Sequence, residues 1–99
     1  MEDPGEGVIV ARRVLVDGRV QGVGYRQACA EAARRHGLSG WVRNRRDGRV
    51  EGLFEGRADA VAQMVQWCRS GPALARVTAL QVEDVPTTGL SSFRVAAAD

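Results

Sequence analysis

The sequence predicts an α+β sandwich: an antiparallel-rich sheet with two helices packed on one face. Three observations predict it. Two segments, around residues 25–36 and 58–69, place apolar or small residues at helical spacing. Short runs rich in Val, Ile, Leu and Phe flank them, bounded by Gly, Asp and Pro. Two of those runs are joined by Asp47-Gly48, a pair that tolerates the backbone angles of a tight hairpin.

The elements follow in order. Val8 to Val16 is rich in Val, Ile and Leu and reads as a strand. Gly18 to Gly24 reads as a loop. From Tyr25 to His36, Tyr25, Ala28, Cys29, Ala32 and Ala33 recur at helical spacing, basic residues fill the last turn and Gly37 supplies the stop. Trp41–Arg45 and Arg49–Glu55 are the two hairpin strands. A second helix over Ala58–Arg69 carries Val61, Met64, Val65 and Cys68 on one face, with Asp59 near its start and Gly71-Pro72 ending it. Arg76–Val85 reads as a fourth strand and Ser92–Ala96 as a short fifth. The order is βαββαβ plus one strand. Each helix must bury its apolar face, and one sheet with both helices on one side provides the surface. That is the ferredoxin-like, split βαβ arrangement. Many unrelated activities share it, so the fold alone decides none.

The chain has 99 residues, 44% apolar and 26% charged, which suits a single domain able to bury a core without metal or disulfide. Residues 8–99 form that domain; the acidic, Gly/Pro-rich residues 1–7 are expected to be a disordered tail. A net charge of +2 is too small to argue for nucleic acid. All 14 basic residues are arginine, which reads as coding bias toward Arg and Ala, with arginine's preference for oxyanion contacts as the alternative. Cys29 and Cys68 fall at apolar helix positions and read as buried thiols, with a bridge as the alternative. No apolar run approaches a membrane span and no targeting peptide is evident, so a cytoplasmic protein is expected.

The stretch Gly18-Arg19-Val20-Gln21-Gly22-Val23-Gly24-Tyr25-Arg26 carries the chemistry. It is a glycine-bearing loop entering a helix. Backbone N–H groups at a helix N-terminus lack intrahelical partners and suit an oxyanion. Gly22 and Gly24 let an anion approach the chain closely. Arg26 adds a planar fork of donors, although a cation in a first helical turn opposes the macrodipole by about 0.3–1 kcal/mol. A bound anion would offset that cost. Taken alone, Gly-x-Gly with a nearby arginine reads as an ordinary surface turn.

With the hairpin added, the chain closely resembles the acylphosphatase family. The family's loop motif, Gly-x-Val-Gln-Gly-Val-x-Phe-Arg, stands here as residues 18–26, with Tyr25 where phenylalanine is commoner. Its second motif, Gly-x-Val-x-Asn-x-x-Asp-Gly-x-Val, stands here as residues 40–50. The resemblance runs from about Arg12 to Val95 and takes in Gly71-Pro72 and Phe93-Arg94-Val95. It implies hydrolysis of the carboxyl–phosphate bond of a small acyl phosphate by direct attack of water, with no metal, cofactor or phosphoenzyme. It implies a substrate-binding role for Arg26, a water-orienting role for Asn44, and a phosphate-binding loop of Gln21, Gly22, Val23, Gly24, Tyr25 and Arg26. Inorganic phosphate or sulfate is expected to fit the same place.

The chemistry suits those residues. The leaving carboxylate is a weak base and needs no strong general acid. Phosphoryl transfer passes through a loose transition state that positioning and electrostatics stabilise. Asn44 has both donor and acceptor groups but is too weakly basic to take a proton. By strand alternation it shares the face of Val42.

Rival readings fare worse. Arg43, Arg45, Arg46 and Arg49 read as a solvated basic face, with steering of an anionic substrate as the alternative. His36 sits at a helix end and Cys29 lacks an activating base. Glu51 and Glu55 read as polar residues on a solvent-facing strand. An RNA-binding domain would share the element order, but the third strand has one aromatic and two acids. A phosphate-binding module without turnover explains Arg26 and Asn44 less well, and the length suits a free-standing form. A monomer without nucleic-acid or membrane partners is expected.

Overall fold

A computed structural model describes residues 7–99. The tail expected over residues 1–7 lies outside the described residues except for Gly7, which sits in an exposed turn. The elements are β1 (Ile9–Arg19), α1 (Tyr25–Arg35), β2 (Ser39–Asn44), β3 (Val50–Arg57), α2 (Ala58–Ser70), β4 (Arg76–Val85) and β5 (Phe93–Val95). Strand order across the sheet is β4-β1-β3-β2-β5. All neighbours are antiparallel except β2 and β5. β3 separates β1 from β2, and β1 separates β3 from β4, so each βαβ unit is split by a strand of the other. This is the ferredoxin-like order expected.

The strands differ from expectation mainly at their ends. β1 runs on through Arg19, where a loop beginning at Gly18 is expected. Its pairing with β3 stops at Val16↔Val50, but pairing with β4 continues to Arg19↔Arg76. The register slips between Asp17 and Gly18. Gly18 has φ 124°, and a Cβ there would lie 2.0 Å from the carbonyl oxygen of Arg76. The glycine marks a bulge that lets two backbones approach, and it does not end the strand.

α1 packs on β2 and β5, α2 packs on β1, β3 and β4, and the two helices touch. Val14, Val16, Val42, Val50 and Phe54 of the sheet meet Cys29, Ala32 and Ala33 of α1 and the expected Val61, Met64, Val65 and Cys68 of α2. Phe54 and Phe93 stack with centroids 5.6 Å apart. Gly40 of β2 is the register partner of both, so it leaves the space over which the rings meet. At the C-terminus of α1, Gly37 N–H donates to Arg34 O and Leu38 N–H to Ala33 O, the Schellman pattern.

The far face of the sheet corrects one expectation. Glu51 and Glu55 do point away from the helices, yet they are only 3% and 4% exposed. Arg13, Arg43 and Arg45 converge on the Glu51 carboxylate. Residues 86–92 connect β4 at one edge to β5 at the other, and on the way Thr88 and Gly89 donate backbone N–H groups to Glu55 at 2.8 and 2.7 Å. Alternation gave the correct side for both acids. It could not show that arginines and a crossing segment cover it.

Candidate active site

The site is built on the start of α1. Gly24 is the N-cap residue, in the left-handed region at φ 80°, ψ 17°. It has no side chain to offer, no other side chain caps the helix, and no acidic residue lies in the first turn. The helix ladder begins with Ala28 N–H donating to Gly24 O at 3.1 Å. The N–H groups of Tyr25, Arg26 and Gln27 therefore precede any intrahelical acceptor. Just before them Gly22 has φ 75°, while Val23 keeps a negative φ. Alternation of this kind turns successive N–H groups toward one side and makes an anion-binding concavity. A Cβ on Gly22 or Gly24 would meet nothing within 4 Å, so the backbone angle alone demands glycine.

Other loop side chains face inward and anchor this backbone. Val20 is buried and Val23 packs against the core. The Tyr25 ring meets Trp67 edge-on at 5.4 Å, and its hydroxyl donates to Cys68 O at 2.8 Å. Burial holds that hydroxyl far above its ordinary pKa, so it is a neutral donor. The loop thus presents backbone to its surroundings, with Arg26 as its charged side chain.

A cleft of about 280 Å³ opens there, lined by Val20, Gly22, Gly24, Tyr25, Arg26, Gln27, Asn44 and Val95. It brings together Arg26 from the first turn of α1 and Asn44 from the last residue of β2. Asn44 lies on the helix side of the sheet, as alternation with the buried Val42 predicts. Its Oδ1 is buried without a hydrogen-bond partner, the one side-chain polar atom so placed among the described residues. Such an acceptor costs about 1–3 kcal/mol unless a donor fills it. A water molecule has the right donors. Arg26 forms no salt bridge among the described residues, which leaves its guanidinium available to an anion.

Two predicted loop residues, Gln21 and Val23, do not line the cleft. The Gln21 amide instead reaches the β2–β3 hairpin, where its Nε2 donates to Arg45 O at 2.8 Å and Arg49 O at 2.9 Å. The basic cluster is largely compensated. Arg43 and Arg45 bind Glu51, and Arg45 and Arg49 bind Asp47. The Arg49 hydrogen bonds hold the Asp47 carboxyl well below the usual carboxylate range. Ion pairing of three of these four arginines favours a structural role over steering. Cys29 and Cys68 are free and buried. A hydrogen bond with Cys68, together with burial, pushes the Cys29 thiol up, which makes it a poor nucleophile. Among the described residues no group of His, Cys, Asp and Glu is gathered to hold a metal, and no helix is long and apolar enough to cross a membrane.

Comparison with known proteins bears on this cleft. The family model described as acylphosphatase matches residues 12–95. A curated acylphosphatase of Rubrobacter xylanophilus is 56% identical over 77 residues, covering 78% of this chain and 70% of its own length. One from Nitrobacter winogradskyi is 51% identical over 85 residues, covering 86% of each. The crystal structure of acylphosphatase from Bacillus subtilis superposes with a TM-score of 0.85 at 39% identity, over 88% of this chain and 98% of that one. With the family match spanning nearly the whole domain, the chain belongs to the acylphosphatase family and is an enzyme of that kind.

Proposed function

We propose that Arg26 and Asn44 divide the hydrolysis of a small acyl phosphate between them across this cleft. Arg26 and the N–H groups of the loop and first helical turn hold the phosphoryl oxygens. Asn44 Oδ1 accepts a hydrogen bond from the attacking water. The observation that carries the reading is the buried, unpartnered Asn44 Oδ1 in the same cleft as an uncapped helix N-terminus.

The water oxygen attacks phosphorus, the bond from phosphorus to the acyl oxygen breaks, and the carboxylate leaves with that electron pair. For the dianionic substrate, both water protons end on the phosphate product. The overall balance requires no protein base. Charge gathers on the peripheral phosphoryl oxygens, where a fixed guanidinium and fixed N–H dipoles act without reorganising. Arg26 contributes roughly 10³–10⁵ in rate on the scale of other phosphoryl-transfer arginines.

Phosphate release from benzoyl phosphate tests the assignment. Arg26→Ala is expected to lose both binding and rate, and Asn44→Ala mainly rate. Full activity in either variant removes that residue from the mechanism. Inorganic phosphate or sulfate is expected to compete for the cleft. Both groups come from one chain, which supports a monomer as the working unit. Specific activity independent of protein concentration is the matching result. A cytoplasmic location belongs to the same reading, supported by the composition.

A further inference from the structure

We infer that Gln21 is a positioning residue that sets the phosphate loop in register with Asn44. The inference rests on the roles proposed above for the loop and for Asn44. Gln21 lies next to Gly22 in the loop. Its Nε2 bonds Arg45 O at 2.8 Å and Arg49 O at 2.9 Å, and Arg45 directly follows Asn44. Both carbonyls only accept, so the amide nitrogen must face them, one N–H for each. The contacts join the two structures that carry the proposed chemistry, 24 and 28 residues apart in sequence.

The hairpin does not need this amide to close. Arg45 N–H donates to Arg49 O at 2.8 Å, and Gly48 N–H donates to Arg45 O at 3.1 Å. Each carbonyl therefore keeps a partner when Gln21 is removed, and no buried acceptor is orphaned. What the amide adds is a link between loop and hairpin. The phosphoryl group is held on one side of that link and the attacking water on the other. Their alignment is a relation between two segments, and a small misplacement of reacting atoms can cost on the order of 100-fold in rate. Phosphate binding itself uses only the loop side.

The experiment compares Gln21→Met, which keeps length and removes both donors, with the parent protein and with the same change in an Asn44→Ala background. Expected are a fall of roughly 10–100-fold in kcat on benzoyl phosphate, inhibition by inorganic phosphate changed less than about threefold, and a melting temperature close to the parent's. In the Asn44→Ala background the change is expected to have no further effect on kcat, because no aligned water remains to be lost. Gln21→Glu is the second variant, close to isosteric with the parent side chain. Its carboxylate cannot donate at neutral pH, and its activity relative to the parent is expected to rise on acidification below pH about 5 as it protonates. Full kcat in Gln21→Met, equal losses in both backgrounds, or a flat pH ratio for Gln21→Glu overturns the inference for Gln21 alone. Full activity of Asn44→Ala by itself overturns the proposed mechanism instead, and this inference with it.

Discussion

Tyr25 shows how one hydroxyl ties the site to the core. Its acceptor, Cys68 O, lies near the end of α2, and the residue four places on is Pro72, which has no N–H to give. The helix therefore leaves that carbonyl without its normal donor, and the Tyr25 hydroxyl supplies one across the core. Phenylalanine would keep the ring against Trp67 and leave a buried carbonyl unpartnered. Tyr25→Phe is expected to cost about 1–2 kcal/mol, a drop of several degrees in melting temperature for a domain of this size. Activity per folded molecule should stay close to the parent's, because the cleft uses the backbone here and not the phenol. An unchanged thermal melt would show that Cys68 O finds another donor. Pro72 is legible in the sequence as a helix stop, but the bond from Tyr25 to Cys68 O crosses 43 residues and needs the folded packing.

At the scale of elements, neither helix begins with a side-chain cap, but α2 carries Asp59 in its first turn, whereas α1 has no acid there and starts from a left-handed Gly24. An alanine there would adopt a left-handed conformation at a cost of roughly 1–2 kcal/mol, with no steric clash to add. If it relaxes to negative φ, the N–H groups before Arg26 turn away from the cleft. Gly24→Ala is thus expected to melt lower and to show a smaller rise in melting temperature on adding inorganic phosphate, since ligand stabilisation scales with affinity. An undiminished phosphate-induced rise would remove Gly24 from the cradle. The sequence made most of this scale legible. Both helices, the hairpin and the side on which Asn44 lies all follow from periodicity and turn chemistry, because those signals are local. The extent of β1 does not, because residues 17–19 are strand only by pairing with β4, some 60 residues away. Gln21 was legible as a loop residue, but nothing local marks the hairpin carbonyls its amide reaches.

Over the whole molecule, the face opposite the helices steadies the site face. Arg43 and Arg45 flank Asn44 in sequence, and both hold Glu51 on the far side of the sheet. Arg13 reaches the same carboxylate from β1. Asn44 is thus gripped on either side by a network centred on one buried acid. Burial alone would raise the Glu51 pKa, but hydrogen bonds from Arg43 and Arg13 outweigh it and hold it below its ordinary value. The N–H groups of Thr88 and Gly89 hold Glu55 low as well, against its partial desolvation. The sign of the pH effect follows. The unfolded chain takes up protons at these acids first, near pH 4.3, while the folded chain resists until lower pH. Their contribution is fully present above that window and is lost as pH falls through the folded values. Glu51→Gln removes the charge and keeps the shape. Its melting temperature is expected to lie below the parent's at pH 7, with the gap narrowing progressively below pH about 4 as the parent's own Glu51 is neutralised. The three arginines are 23–31% exposed, so water takes up part of their charge and the decline should be gradual. Thermal melts followed by circular dichroism from pH 7 to about pH 2.5 make the check. A gap constant across that range would mean that shape and packing, and not the ion pairs, account for the loss.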